Sequence, residues 1–364
     1  MNVEELCGQL LVGGFEGTTL PESFAEALAR GHRAGAILFR RNLASIPQVA
    51  ALTRSILAAL PTAFVAVDQE GGRVVRLPAP CTALPPMRVL GTIDDVELTV
   101  RAAEQVGSEL AALGFNLDFA PVMDVDSNPD NPVIGDRAFG RDPRTVMKHG
   151  VAFLRGLQRQ RVLACAKHFP GHGDTAIDSH LALPTVARAL SHLQKVEIPP
   201  FRAASGAGVA AMMSAHVVYP ALDGEVPATL SRAICIDLLR EEIGFEGALF
   251  SDDLEMGAVN DRDVGALAIA AVEAGCDVLL VCKSEELQAR AHQALVERAA
   301  GDARFLERCE KAADRSRRLR AVCRGRVERD DVCTRIADSG RALLEEIDER
   351  ANAEPPSGPR WSTS

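Results

Sequence analysis

The sequence predicts an α/β protein in which eight strand–helix units close into a single-domain (β/α)8 barrel of the TIM type, followed by a C-terminal helical extension. Eight short apolar runs alternate with longer segments of helical pattern. The runs lack polar alternation, as expected of parallel strands that are covered on both faces. A chain of 364 residues suits one barrel, and eight units favour closure over an open doubly wound sheet.

Each of the eight predicted strands has the length of an ordinary strand. They are Gln9–Phe15, Gly35–Phe39, Ala63–Val67, Phe115–Ala120, Val162–Ala166, Ala210–Ala215, Ala248–Ser251 and Cys276–Cys282. The predicted helices are Pro21–Arg33, Ile46–Ala59, Val96–Leu113, Asp142–Arg159, Pro199–Gly206, Ser231–Ile243, Asp263–Ala274 and Ser284–Ala299. Alternation of this kind implies a parallel sheet with right-handed crossovers.

The chain divides into three predicted parts with no second domain. We expect residues 1–300 to form the barrel and residues 301–349, which are charged and helical in pattern, to pack on it. Residues 350–364 are rich in Pro, Ser and Gly. That composition predicts a disordered tail.

Composition excludes several classes of partner. The chain has 40 Lys and Arg against 50 Asp and Glu, a net charge of −10, which disfavours binding to nucleic acid or anionic membranes. No apolar stretch reaches the length of a membrane span. The first residues contain acids and no cationic segment, so we expect no secretory signal and a cytoplasmic protein. Nine cysteines without CxxC pairs fit reduced thiols in that compartment.

Ionisable residues lie at or near the ends of five of the predicted strands, where the active face of a barrel lies. Two of the loops that carry them are unusually long. These residues are Asp68, Asp118, Lys167, His168, His216, Asp252 and Asp253. One such residue would mean little, but their repetition at successive strand ends predicts a functional site there.

The segment KHFPGHGDTAIDSH, residues 167–180, holds three of the eight histidines. Its Pro and Gly residues exclude a regular element, so it is a loop. Imidazole and carboxylate together are the usual zinc set, so metal binding by His168, His172 and His216 is one interpretation. The other is acid–base chemistry, because a carboxylate at Asp178 can orient the imidazole of His180, two residues along.

Asp252 follows the seventh strand and is the candidate nucleophile. A carboxylate can attack an anomeric carbon, since the oxocarbenium-like transition state of a sugar requires only modest nucleophilicity. Asp253 is adjacent, and like charges raise one pKa of such a pair. We expect Asp252 to face the pocket and Asp253 to form hydrogen bonds elsewhere.

These residues resemble glycoside hydrolase family 3, in particular its bacterial cytoplasmic β-N-acetylglucosaminidases (β-hexosaminidases) of peptidoglycan recycling. The matching segments are GQLLVGGFEGT (8–18), DQEGGRVVRL (68–77), IGDRAFGRDP (134–143), AKHFPGHGDTAIDSH (166–180) and FSDDLEMGAV (250–259). They stand in family order and span the chain from about residue 5 to residue 300. KHFPGHGDT followed by DSH is the most specific of them.

The resemblance implies a barrel that removes β-linked N-acetylglucosamine with retention, by double displacement. It makes Asp252 the nucleophile and His180, paired with Asp178, the general acid/base. The positions that it implies for sugar binding are Asp68, Arg76, Arg137, Lys167 and His168. His216 and Met256 are expected near the pocket, and His172 and Asp174 are expected to shape the loop.

The substrate that the resemblance implies is N-acetylglucosamine linked to anhydro-N-acetylmuramic acid, with or without peptide. Carboxylate and imidazole suffice for this chemistry, so we expect no metal and no organic cofactor. We expect a monomer whose partner is a small sugar substrate. Phosphorolysis, in which phosphate replaces water, and a metal-dependent barrel hydrolase are the alternatives.

Overall fold

The computed structural model describes residues 1–176, 183–259, 263–322 and 330–353. For residue 225 and residues 330–337 it describes the backbone alone. Within these ranges no helix is both long and apolar enough to cross a membrane.

Eight parallel strands close into one barrel, in which each strand is hydrogen-bonded to the next and the last to the first. The barrel strands are β1 (Leu11–Gly13), β2 (Gly35–Leu38), β3 (Phe64–Val67), β4 (Leu117–Asp118), β5 (Leu163–Phe169), β6 (Ala211–Ser214), β9 (Ala248–Asp253) and β10 (Val278–Val281). A short antiparallel hairpin of β7 (Val218–Tyr219) and β8 (Asp223–Pro227) follows β6. The predicted (β/α)8 barrel is therefore confirmed.

Two strands run further than the apolar pattern predicts. β5 continues to Phe169 and β9 continues to Asp253, each beyond the first charged residue of its segment. Residues of both extensions line the cavity at the barrel mouth. Charged side chains are therefore accommodated in the ladder, because the barrel interior is polar at this end.

The helices lie close to their predicted positions. They are α1 (Val3–Gly8), α2 (Glu22–Ala29), α3 (Ile46–Ala59), α4 (Met87–Ile93), α5 (Val96–Ala112), α6 (Pro143–Arg159), α7 (Leu190–Leu193), α8 (Ile198–Gly206), α9 (Val264–Ala274), α10 (Glu285–Gly301), α11 (Ala303–Val322) and α12 (Asp330–Asn352). The segment Ala233–Glu242, predicted as an ordinary helix, is a π-helix. At α6 the Asp142 carboxylate caps the helix by accepting from the Arg144 and Thr145 N–H groups, and Pro143 follows it at the first helical position.

Aromatic rings fill the centre of the barrel. The Phe250 ring packs edge-on against Phe64 at 5.6 Å and against Phe119 at 5.4 Å between centroids. Edge-to-face pairs of this kind contribute roughly 0.5–1.5 kcal/mol beyond their buried area. The interior is therefore a packed core below the polar mouth, and it is not a pore.

The C-terminal extension closes the opposite end of the barrel. On α11 the Ser316 hydroxyl donates to the Gln9 carbonyl at 2.8 Å, and the Arg320 guanidinium lies 5.7 Å from the centroid of the Phe64 ring. The helix α12 packs on the outer wall, where Ile347 is buried. It ends at Asn352, and residues 354–364 of the predicted tail lie outside the described residues.

One buried carboxylate joins this extension to the barrel floor. Asp277, which is fully buried before β10, accepts from Arg240 at 2.6 Å, from Arg308 at 3.1 Å and from Arg315 at 3.2 Å. Arg308 and Arg315 belong to α11. Asp277 thus compensates guanidinium groups that would otherwise be packed together without a counter-charge.

Replacing Asp277 with Ala should lower the free energy of unfolding by about 3–5 kcal/mol, because it leaves buried cations uncompensated. Urea unfolding followed by circular dichroism measures this change. The matched control is Asp314→Ala, since Asp314 contacts Arg318 on the exposed face of α11 and should cost less than about 1 kcal/mol. An equal effect of both variants would contradict this role of Asp277.

Candidate active site

A cavity of about 190 Å³ lies at the carboxyl ends of the barrel strands. All sequence-predicted site residues within the described ranges line it, namely Asp68, Arg76, Arg137, Lys167, His168 and Asp252. Asp178 and His180 lie outside the described residues. The structure therefore brings together groups that are 184 positions apart in the chain, from Asp68 to Asp252, as parallel strands of one barrel require.

A network of buried charges forms the wall of the cavity. The Lys167 ammonium lies 2.6 Å from Asp68 Oδ1 and 2.6 Å from Glu70 Oε1. The Arg137 guanidinium donates to both oxygens of Glu70, each at 2.8 Å. Bidentate pairing fixes the guanidinium plane as well as its position, so Glu70 orients two of the predicted sugar-binding cations.

Glu70 carries no role in the sequence analysis, although it lies within the segment DQEGG. It is 2% exposed. Its burial alone would raise its pKa, but the charges of Arg137 and Lys167 outweigh burial and hold the pKa of Glu70 below its ordinary value. The adjacent glycines were the available signal, because they allow the chain to turn a carboxylate inward.

The loop after β4 supplies a second buried carboxylate that sequence reasoning did not single out. Asp124 is fully buried. Its Oδ2 lies 2.7 Å from His168 Nδ1, and its Oδ1 accepts from the backbone N–H groups of His168 at 3.1 Å and His172 at 2.7 Å. The pair holds the His168 ring and leaves its other nitrogen, Nε2, for the cavity.

His172 is held by hydrogen bonds within its loop, where we expected it, and it also lines the cavity. Its Nδ1 lies 2.9 Å from Thr175 Oγ1, and its carbonyl accepts from the Asn131 side-chain amide at 2.9 Å. Burial and the neighbouring His168 lower the pKa of His172 to about 4. The ring is therefore neutral at physiological pH.

The two adjacent aspartates have different environments. Asp253 Oδ1 accepts from the N–H groups of Glu255 and Cys282, each at 3.1 Å. Burial, with the charges of Glu255 and Asp252, raises the pKa of Asp253 to about 7. Asp252 is also buried, but His216 and His168 outweigh that burial and lower its pKa. Of these two aspartates, Asp252 is thus the one whose carboxylate stays ionised.

Arg76 presents a cation to the cavity. Its backbone N–H is held by Gln69 Oε1 at 2.8 Å, and the Gln69 N–H is held by Asp118 Oδ1 at 2.9 Å. The Nε atom of Arg76 is buried without a hydrogen-bond partner among the residues that the structure describes. A polar ligand in the cavity could supply the missing acceptor.

The histidines do not form a metal site in the part of the chain that is described. No group of three His, Cys, Asp or Glu residues there has the geometry to hold a metal ion. Both ring nitrogens of His216 face protein atoms, with Nε2 at 3.0 Å from the Asp253 carbonyl and Nδ1 at 2.9 Å from Thr229 Oγ1. The residues His168, His172 and His216 therefore do not converge as the metal interpretation requires.

An ion pair joins the segment before Asp178 and His180 to the segment after them. Arg188 donates to both oxygens of Asp174, at 2.6 and 2.8 Å. The downstream segment is held on β7. The Val186 N–H donates to the Val218 carbonyl, and the Val218 N–H donates to the Pro184 carbonyl, each at 2.9 Å. The stretch that contains Asp178 and His180 is thus flanked by two anchored segments.

Comparisons with known proteins agree with this geometry. The family described as glycosyl hydrolase family 3 N terminal domain matches residues 2–315. A β-hexosaminidase of Neisseria meningitidis serogroup C is 45% identical over 262 residues, which cover 70% of this chain and 72% of the relative. One from Chromobacterium violaceum is 43% identical over 278 residues, 74% of this chain and 77% of its own length.

Solved structures give the same result. The family 3 β-N-acetylglucosaminidase from Paenibacillus sp. str. FPU-7 superposes with a TM-score of 0.91 at 40% identity and covers 96% of this chain and 69% of its own. NagZ from Neisseria gonorrhoeae in complex with N-trifluoroacetyl-D-glucosamine has a TM-score of 0.78 at 35% identity, covering 94% of this chain and 98% of its own.

Replacing Glu70 with Gln should destabilise the fold by about 3 kcal/mol near neutral pH, because two buried cations lose a counter-charge. The folded-state pKa of Glu70 lies below its ordinary value of 4.5. Its stabilisation is therefore present above that value and is lost as the pH falls below it. The difference in the free energy of unfolding between wild type and variant should become smaller on acidification, as urea unfolding from about pH 7 to about pH 3 would measure. The control is Glu104→Gln, whose partner Arg159 is exposed; a difference independent of pH would contradict the assignment.

Proposed function

The chain belongs to glycosyl hydrolase family 3, and from that premise we propose that it is a retaining exo-β-N-acetylglucosaminidase that acts by double displacement. It is a glycoside hydrolase, in agreement with its β-hexosaminidase relatives. The physiological substrate in this proposal is N-acetylglucosamine linked to anhydro-N-acetylmuramic acid, with or without peptide. The place of action is the cytoplasm, in the recycling of cell-wall fragments.

The observation that carries the proposal is the Asp252 carboxylate, which lines the same cavity as the predicted sugar-binding residues. Its neighbours His216, His168 and Lys167 lower its pKa despite its burial. A carboxylate in this state can attack the anomeric carbon and form a glycosyl-enzyme. The nearby positive charges stabilise the carboxylate without protonating it.

The charged network supplies the binding of the sugar. Asp68 and Lys167 present an acceptor and a donor, which are 2.6 Å apart, to the hydroxyl groups of the sugar. Arg76 and Arg137 donate from the neighbouring wall, and His168 offers the ring nitrogen that Asp124 leaves available. Charge-assisted hydrogen bonds of this kind are strong and directional, so they orient C1 toward Asp252.

His180 is the general acid/base of the proposed reaction, with Asp178 as its partner. An imidazole with an ordinary pKa of about 6.5 can protonate the leaving oxygen and then deprotonate water near neutral pH. No metal or organic cofactor takes part in these steps. Support for the assignment comes from the family motif and from the anchored segments on either side of these residues.

Asp252→Ala should reduce the release of nitrophenol from a nitrophenyl N-acetyl-β-glucosaminide by roughly 10³-fold or more. The reason is that the alanine side chain has no oxygen with which to attack the anomeric carbon. Steady-state kinetics with circular dichroism measures the loss and confirms the fold. Asp237→Ala, a change on the exposed side of the π-helix, is the control. Full activity of the Asp252 variant would end the nucleophile assignment.

For His180→Ala we expect a smaller loss with activated nitrophenyl leaving groups than with natural disaccharides. Activated leaving groups need little protonation, whereas a sugar alkoxide needs an acid. The ratio of kcat/KM for the two substrates measures this difference. Equal losses on both substrates would argue against an acid role.

Product analysis with a muropeptide fragment, with and without phosphate, tests the function as a whole. Release of free N-acetylglucosamine in both conditions supports hydrolysis. N-acetylglucosamine 1-phosphate formed only with phosphate would replace hydrolysis with phosphorolysis. No cleavage of the fragment would remove the proposed substrate.

A further inference from the structure

Behind the nucleophile lies a chain of buried hydrogen bonds to which no sequence motif assigns a role. It runs from Ser214 through Thr229 to His216, and each of these residues is fully buried. Ser214 Oγ lies 2.9 Å from Thr229 Oγ1, and Thr229 Oγ1 lies 2.9 Å from His216 Nδ1. The chain ends where His216 Nε2 lies 3.0 Å from the Asp253 carbonyl.

The acceptors in this chain determine where the protons lie. A carbonyl only accepts, so His216 Nε2 carries a hydrogen and donates it to Asp253. The Thr229 hydroxyl donates to the Ala215 carbonyl at 3.1 Å, and its oxygen lies 2.9 Å from His216 Nδ1. The contact with Thr229 therefore holds the His216 ring in the orientation in which Nε2 reaches the Asp253 carbonyl.

The backbone of Asp253 is held on both sides of its Cα atom. Its N–H, in the peptide that follows Asp252, donates to Asp252 Oδ1 at 2.8 Å. Its carbonyl, in the next peptide, accepts from His216 Nε2 at 3.0 Å and from the Met256 N–H at 3.1 Å. A shift of the Asp253 backbone would move the N–H that orients the Asp252 carboxylate, so the hydrogen bond from His216 supports the direction in which the nucleophile points.

We propose that Thr229 and His216 are positioning residues for the Asp252 nucleophile, with Thr229 holding the His216 ring that fixes the Asp253 backbone. Neither residue touches the sugar in this arrangement. The inference rests on the proposed function, because it assigns a purpose to the orientation of the attacking carboxylate. It predicts that the loss of one hydroxyl behind the site slows formation of the glycosyl-enzyme.

The molecule contains a matched control. Thr99 Oγ1 lies 2.8 Å from Nδ1 of His149, and Thr99 and His149 are both fully buried. This pair joins α5 to α6 on the outside of the barrel. Thr99→Val therefore removes the same hydroxyl from the same kind of imidazole without affecting the nucleophile.

The experiment compares Thr229→Val, Thr229→Ser and Thr99→Val in the full-length enzyme with a nitrophenyl N-acetyl-β-glucosaminide. We expect Thr229→Val to lower kcat about tenfold or more with KM changed less than about twofold, since an interaction that acts on the chemical step is lost. Thr229→Ser should restore kcat, and Thr99→Val should leave it unchanged. The rate of covalent labelling by a mechanism-based fluorosugar, followed by intact mass, should fall in parallel with kcat.

Wild-type kcat in Thr229→Val, or equal losses in Thr229→Val and Thr99→Val, would overturn the inference. Ring-nitrogen NMR of the wild-type enzyme gives a test that does not depend on a variant folding. It should show His216 protonated at Nε2, and a bare Nε2 would also overturn the inference. Failure of the proposed function is separate, since it would appear as full activity of Asp252→Ala whatever the Thr229 variants do.

Discussion

A buried negative charge at Glu70 is the constraint on which the arrangement of the site depends. A carboxylate in this position is tolerated only when cations pair with it and use its lone pairs. Arg137 comes from the long loop after β4 and Lys167 from the end of β5, so the pairing draws two elements to the same wall. Because Lys167 also contacts Asp68, the compensation of one charge places four polar groups around the cavity.

The same principle separates two aspartates that are adjacent in the chain. Asp253 is surrounded by backbone donors and acidic neighbours, and burial raises its pKa to about 7. Asp252 lies within reach of imidazoles and an ammonium group, which lower its pKa. Opposite shifts in neighbouring carboxyl groups are a general way for a site to assign different roles to identical side chains. Here the assignment is made by surroundings that come from four different strands.

Much of this architecture could be predicted from the sequence. The apolar runs located all eight strands, because buried parallel strands have a simple pattern that survives without any alignment. The ends of β5 and β9 could not be predicted, since a strand that enters a polar cavity no longer looks apolar. The π-helical form of Ala233–Glu242 was also missed, because its composition is that of an ordinary helix.

The candidate site was predicted unevenly for a related reason. Asp252, Lys167 and His168 come directly after predicted strands, so their position alone marked them. Glu70 and Asp124 lie further into loops, where a sequence does not show which acidic side chain turns inward. Their roles depend on contacts with Arg137 and His168, residues more than forty positions away, and only the folded structure contains those contacts.

The close approach of two loops beside the cavity has a consequence for the family at large. A methyl group added at Gly173 would lie 1.6 Å from the Val125 carbonyl oxygen, so the two backbones touch with no room for a side chain. The Asn131 side-chain amide donates to the Gly173 carbonyl at 3.0 Å and stabilises the same contact. The loop after β4 and the loop after β5 therefore pack directly against each other through their backbones. A family member with a longer loop at either position would therefore need a compensating change in the other loop.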